Sequence, residues 1–219
     1  AEPWLMQDGV MTRQCRGTLD VRGLSANGRH LERYTPVAEG MTILAAANGQ
    51  VPPLWPDENE APHAEQVQQA LDTDLFYNSV GFGAPWRMLR EFTVLPNHRY
   101  AALLDHSYAS IAPEGNKGYT DVLHVVEGMA QAAWMAIAQE AGEAEAIAAV
   151  IRNWHLQAAG FIRFGGERGK GPWLIRMRRS WSAPNLLRFD GQAVDERGRV
   201  FLTLHHLEFT RRDSGAAAL

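Results

Sequence analysis

Glu127 stands inside the run Asp121 to Ala141, which is apolar on nearly every side of a helix. A carboxyl placed there must be desolvated, paired or protonated, and those are the conditions that make a general acid or base. Gln131 follows one turn later on the same face, where it could hold the carboxyl or a substrate, or be a plain polar core contact. His124 comes three residues before Glu127 and could form a dyad with it or an inert ion pair. His106 follows the strand-like Tyr100 to Asp105. It could reach the helix start near Glu127 if the intervening loop folds back, or be a satisfied hydrogen-bonding residue at a strand end. Backbone amides around Asp121 to Leu123 and the glycine-rich loop Pro113 to Gly118 are placed to polarise a carbonyl, with Asp121 itself a candidate N-cap. The candidate set is therefore Glu127, His106 and His124 for catalysis, with Gln131, Asp121, Met129 and Tyr119 for substrate binding. No metal site is expected: His155, His205 and His206 read as strand or rim residues, and the last two point to opposite faces of one strand.

The elements that must position these groups are legible in outline. Thr18 to Leu24 and Arg29 to Val37 alternate as two strands around the turn Ser25-Ala26-Asn27-Gly28, and Met41 to Ala47 reads as a third, although its alanines would also suit a helix. Prolines 52, 53, 56 and 62 with acidic residues between them read as a linker or exposed crossing. Ala64 to Leu71 reads as a short helical stretch, and Asp72 or Thr73 caps a second helix that Gly81 to Pro85 ends. Met88 to Val94 and Arg99 to Leu104 are strands around Pro96-Asn97-His98. After the apolar helix, Leu156 to Phe164, Trp173 to Trp181, Leu186 to Val194 and Val200 to Thr210 form a meander. In the last of these, Phe201, Thr203, His205, Leu207 and Phe209 share one face, and Val200, Leu202, Leu204, His206 and Glu208 the other. Met129, Trp134, Met135, Trp173 and Met177 could line an apolar tunnel or simply fill the core. Arg176, Arg178 and Arg179 form an exposed basic strand that could meet an acidic partner or face solvent.

Composition removes whole classes of function. The 219 residues are 46% hydrophobic and 21% charged, as in an ordinary globular protein, which excludes disorder and collagen-like structure. Lys and Arg total 21 against 25 Asp and Glu, so there is no basic footprint for nucleic acid. One cysteine, Cys15, can form no internal disulfide, Ala1 to Trp4 lacks the basic start and apolar core of a signal peptide, and nowhere do eighteen apolar residues run together; the expectation is a cytoplasmic protein with no membrane partner. Dinucleotide and phosphate-loop fingerprints, His-Glu-x-x-His and Gly-x-Ser-x-Gly are absent, and the glycine-rich Gly165 to Gly171 lacks a strand-to-helix context and reads as a surface loop.

Val122 to Ala133, with Glu127-Gly128-Met129-Ala130-Gln131-Ala132, resembles the central-helix motif of the hot-dog hydroxyacyl-carrier-protein dehydratases. Ala159 to Phe164, Arg188 to Gln192 and Gly198 to Phe201 resemble the strands that follow it. Leu75-Phe76-Tyr77 and Gly83 to Leu89 resemble the segment opening the second hot dog of polyketide synthase dehydratase domains. The resemblance implies an α+β hot-dog fold, an antiparallel sheet wrapped on a central helix, as a double or partial double hot dog. Residues 1–51 would be a remnant of the first sheet, 52–63 the proline-rich linker and 64–219 a complete second hot dog. It also implies a dehydratase-like lyase of polyketide or fatty-acid biosynthesis, acting on (hydroxy)acyl thioesters. The substrate would ride on phosphopantetheine of an acyl carrier protein or an acyl-CoA-type thioester, with no cofactor of the enzyme's own. Neighbouring synthase domains and a second copy of the chain are the implied partners. The family's His-x-x-x-Gly-x-x-x-x-Pro pattern is missing, and Glu114 to Gly118 stands where free-standing members carry His-Phe-Pro-Gly. A non-eliminating module for ring closure, Michael addition or carrier docking is therefore the alternative, with a hot-dog thioesterase third.

Overall fold

The computed structural model describes residues 5–7, 10–24, 30–45, 53–55, 69–105, 117–139, 143–158, 160, 162–164 and 172–211. They divide into two compact units, Ala1–Gly49 and Gln50–Leu219. In the first unit, β1 (Leu5–Gln7), β2 (Val10–Leu24) and β3 (His30–Ala45) form an antiparallel sheet in that order. The hairpin expected around Ser25 to Gly28 pairs Leu24 with His30. Its strands are longer than the alternation suggests, and Met41 to Ala45 continues β3 instead of making a third strand. β-Branched and aromatic residues are spread thinly here, so period alone marks only the middle of each strand.

Among the described residues the second unit has an eight-stranded antiparallel sheet and three α-helices. The strands are β4 (Gln69–Leu71), β5 (Leu89–Leu95), β6 (Arg99–Leu104), β7 (Trp154–Ala158), β8 (Ile162–Phe164), β9 (Trp173–Ala183), β10 (Leu186–Val194) and β11 (Val200–Arg211). They run in the order β4-β5-β6-β9-β10-β11-β7, and β8 also pairs with β11. Helix α1 (Thr73–Val80) starts where expected, with Asp72 Oδ1 accepting from the amides of Asp74 at 2.8 Å and Leu75 at 3.2 Å. It ends at Gly81, whose φ of 73° is the left-handed cap that a Cβ would strain. The expected helical stretch before it is corrected at Gln69 to Leu71, which pair with β5 as a strand; residues 64–68 lie outside the described residues.

Helix α2 (Lys117–Ala138) begins one turn before the expected start and ends three residues before the expected end. Helix α3 (Ala144–Asn153), for which the sequence reading makes no assignment, buries Ile147 and packs against α1 and α2. α2 lies across β5, β6, β9, β10 and β11. Its closest seat is at Gly128, where an added Cβ would come within 2.5 Å of Leu104 Cδ1 and 2.9 Å of Ile175 Cδ1. Beneath the following turns an aromatic ladder fills the core, Tyr100 on Phe189 and Phe189 edge-on to Phe209, which meets Trp134 at 4.8 Å. Among the described residues no helix is long and apolar enough to cross a membrane.

The simple alternation expected for β11 is corrected at His205-His206. Phe189 pairs with Leu207 but Gly191 with Leu204, so two residues oppose Asp190, and His206 takes a φ of 60° with its N–H on Asp190 Oδ1 at 2.9 Å. The bulge inverts the phase. Leu204 before it and Phe209 after it therefore both face α2, while Thr203 joins Gln192 and Arg176 on the opposite face of the sheet. Arg176 is buried there, which corrects the expectation of three exposed arginines on β9; Arg178 is exposed and Arg179 half-buried. Leu54, within the proline-rich stretch, is half-buried and donates its N–H to Gln192 Oε1 at 2.9 Å, so this part of the expected linker is held on the sheet.

Candidate functional site

The site is built from one face of α2 and the segment joining α1 to β5. Gln131, 1% exposed, uses its whole hydrogen-bonding capacity. Its Nε2 donates to Glu127 Oε1 at 3.0 Å and to the Trp86 carbonyl at 3.0 Å. Its Oε1 accepts from the Tyr77 hydroxyl at 2.8 Å and from the Met88 N–H at 3.4 Å. The Tyr77 hydroxyl in turn accepts from the Leu89 N–H at 2.8 Å. Donors and acceptors therefore run one way, from the Leu89 amide through Tyr77 and Gln131 to the Glu127 carboxylate.

Local sequence explains why these groups meet. Glu127 and Gln131 are four apart on α2, so their side chains stack on one face. Tyr77 is fixed on α1 by Arg87, whose Nε donates to the Phe82 carbonyl at 3.1 Å and whose Nη2 donates to Asn78 Oδ1 at 2.6 Å. The same guanidinium lies over the Tyr77 ring, 5.8 Å from its centroid. Burial pushes the Tyr77 phenol up to about 12, with the Leu89 and Met88 backbone contacts opposing the shift. Glu127 is half-buried, one turn after Leu123, which is 50% exposed; Trp86, whose carbonyl shares the Gln131 amide, is 54% exposed. Glu127 thus stands one turn from exposed Leu123 on α2 and shares the Gln131 amino group with the backbone carbonyl of exposed Trp86.

The other candidates fall in different places. His124 is buried, and its Nε2–H donates to the Asp105 carbonyl at 2.8 Å, because a carbonyl oxygen can only accept. The imidazole thus braces α2 against the end of β6, while the carboxylate is held by Gln131. His106 lies outside the described residues, as do Pro113 to Asn116; Lys117 and Gly118, expected in that loop, are helical. Tyr119 lies in the first turn of α2 and Asp121 opens the second. Asp121 is therefore not the N-cap, and amides from Asp121 to Leu123 are engaged along the helix, which corrects the expected oxyanion hole. Met129 is fully buried, its Sδ 3.1 Å from where a Cβ on Gly191 would stand, and so fills the core beneath the helix. Met135, Trp173 and Met177 are buried in the same core, and Trp134 is half-buried beside it. Among the described residues no group of three His, Cys, Asp or Glu is close enough to hold a metal. Sequence reasoning missed Tyr77 as a functional residue; its only signal was its place in the Leu75-Phe76-Tyr77 segment.

No family model and no curated protein matches the chain. Solved structures do. The dehydratase domain of a mycocerosic acid synthase-like polyketide synthase superposes with a TM-score of 0.56 at 16% identity, covering 94% of this chain and 69% of that one. The dehydratase domain of RzxB from Pseudomonas fluorescens gives 0.54 at 13% identity, covering 92% and 68%. That of the polyketide PpsC from Mycobacterium tuberculosis gives 0.52 at 13%, covering 94% and 68%. The chain has the hot-dog fold of polyketide synthase dehydratase domains. In this hot dog α2 is the central helix, and the relay from Leu89 to Glu127 joins it to the segment between α1 and β5.

Proposed function

We propose that this hot-dog protein acts on a (hydroxy)acyl thioester carried on phosphopantetheine, and that the reaction is dehydration of a 3-hydroxyacyl chain. The observation that carries the reading is the relay ending on Glu127, flanked by exposed Leu123 and Trp86. Elimination of water needs an acid for the departing hydroxyl and a base for the proton on the carbon next to the thioester carbonyl. Glu127 supplies the first in its carboxylic acid form: Oε1 accepts from Gln131, and the proton on Oε2 passes to the departing hydroxyl, which leaves as water. The base keeps the proton taken from carbon, with exposed Leu123 and Trp86 as apolar surface for the chain. His106 and His124 are the candidates for the base; with its Nε2 proton committed to Asp105, His124 can act only through Nδ1. The partners are an acyl carrier protein or an acyl-CoA-type thioester, neighbouring synthase domains and a second copy of the chain. The first unit is read as a remnant of the first hot-dog sheet.

The second reading is a module that keeps this site and does not eliminate, guiding cyclisation or Michael addition or docking a carrier. The absent His-x-x-x-Gly-x-x-x-x-Pro pattern favours it. Intact-protein mass spectrometry of a carrier loaded with a 3-hydroxyacyl chain separates the two. Loss of one water on addition of the protein, abolished in a folded Glu127→Gln variant, is the expected result. An unchanged carrier mass, with a saturable shift in the carrier's NMR spectrum, would establish the second reading instead. Light scattering at micromolar concentration should report a dimer, and a monomer would count against the second copy.

A further inference from the structure

We infer that Tyr77 is a positioning residue for the Glu127 carboxylate, acting through the Gln131 amide. The inference rests on Glu127 being the reacting group of the site proposed above. Direction is what the phenol supplies. A backbone N–H has no lone pair, so at 2.8 Å from the Leu89 nitrogen the phenol oxygen accepts, and its single proton goes to Gln131 Oε1, also at 2.8 Å. The amide atom facing Tyr77 is thereby the carbonyl, towards which the Met88 N–H also points. The amino group is turned to the other side, where its two protons meet the Trp86 carbonyl and Glu127 Oε1. Half a turn of the amide would set its oxygen against a carbonyl and a carboxylate inside the fold, and both contacts would be repulsive. Burial keeps the phenol protonated far above neutral pH, so the proton on which this direction depends stays in place.

Without the hydroxyl, only the longer Met88 contact marks one side of the amide as donor-facing. The amide loosens, and the carboxylate oxygen it holds loses a fixed partner. A tyrosine that only filled space would behave differently, because phenylalanine keeps the ring and would leave the carboxylate untouched.

The test is Tyr77→Phe in the full chain, with Gln131→Leu as reference, read from the side-chain carboxyl carbon of Glu127 by NMR. The Glu127 resonance should move in the same direction in both variants, while that of Glu208, paired with Arg188 outside the relay, stays in place. An unmoved Glu127 resonance in folded Tyr77→Phe overturns the inference. If that variant fails to fold, the wild-type protein decides: the relay requires a slowly exchanging Tyr77 hydroxyl proton with a nuclear Overhauser contact to the Leu89 amide, and its absence overturns the inference. On a 3-hydroxyacyl thioester, Tyr77→Phe should lower kcat by about tenfold with KM changed less than about twofold. Unchanged kcat overturns it too. A wild-type protein inert towards the thioester refutes the reading of the site, while the relay is still judged by the two NMR results.

Discussion

At the scale of single residues, the buried hydroxyl of Tyr77 gives the protein a pH signature of known sign. Its phenol titrates near 10.0 in the unfolded chain and at about 12 in the fold, mainly because burial disfavours the phenolate. A raised folded value for an acid means that the associated stability is fully present below pH 10.0 and is lost as pH rises towards 12. Raising the phenol from 10.0 to about 12 corresponds to about 2–3 kcal/mol for this buried group. Denaturant unfolding should therefore show stability falling steeply between those limits, and Tyr77→Phe should flatten that fall while lowering stability at neutral pH. A variant that loses stability in parallel with the wild type across this range would show that another group is responsible. The candidate carboxylate was legible from the sequence because a Glu in an apolar helix is conspicuous, and its Gln partner because four residues separate them. The Tyr77 contact was not, since it spans 54 positions between two helices.

At the scale of elements, the seat of α2 depends on Gly128. A glycine inside an exposed helix costs about 1 kcal/mol relative to alanine, so its use here needs a reason, and the Leu104 and Ile175 methyls supply one. Gly128→Val should overpack this contact and destabilise the protein by about 2 kcal/mol or more, read as a lower denaturation midpoint with an unchanged slope. The opposite face of the sheet offers a gain. Among the described residues Thr203 Oγ1 and Gln192 Nε2 are buried and meet no hydrogen-bond partner, on neighbouring strands in register. Thr203→Val keeps the shape and removes a desolvated hydroxyl, and should raise stability by about 1 kcal/mol in thermal melts. A loss would mean that an internal water satisfies the hydroxyl. α1, α2 and most of the meander were legible, because caps, turn residues and an apolar run are local signals. The bulge at His206 was not, because an extra residue looks like any other strand residue until its partner strand is known.

At the scale of the whole molecule, the second unit carries its own core of α2 against the sheet and should stand alone. Residues 50–219 expressed by themselves should unfold in one cooperative transition by circular dichroism. A chain that stays molten would show that the first unit is required for folding. The sequence by itself determined the class of fold, since a long apolar helix followed by alternating strands and turns can bury its apolar surface by laying a sheet against the helix, and Val122 to Ala133 resembles the hot-dog central helix. It also determined which carboxyl would stand on that helix. Only the tertiary structure decided what touches the carboxyl: an amide oriented by a tyrosine from another helix, with His124 drawn to the end of β6. Local propensity fixes where a helix or turn begins, because capping and periodicity act over a few residues. Hydrogen-bond direction between distant segments is set only when packing has excluded water and each donor must find the acceptor that remains.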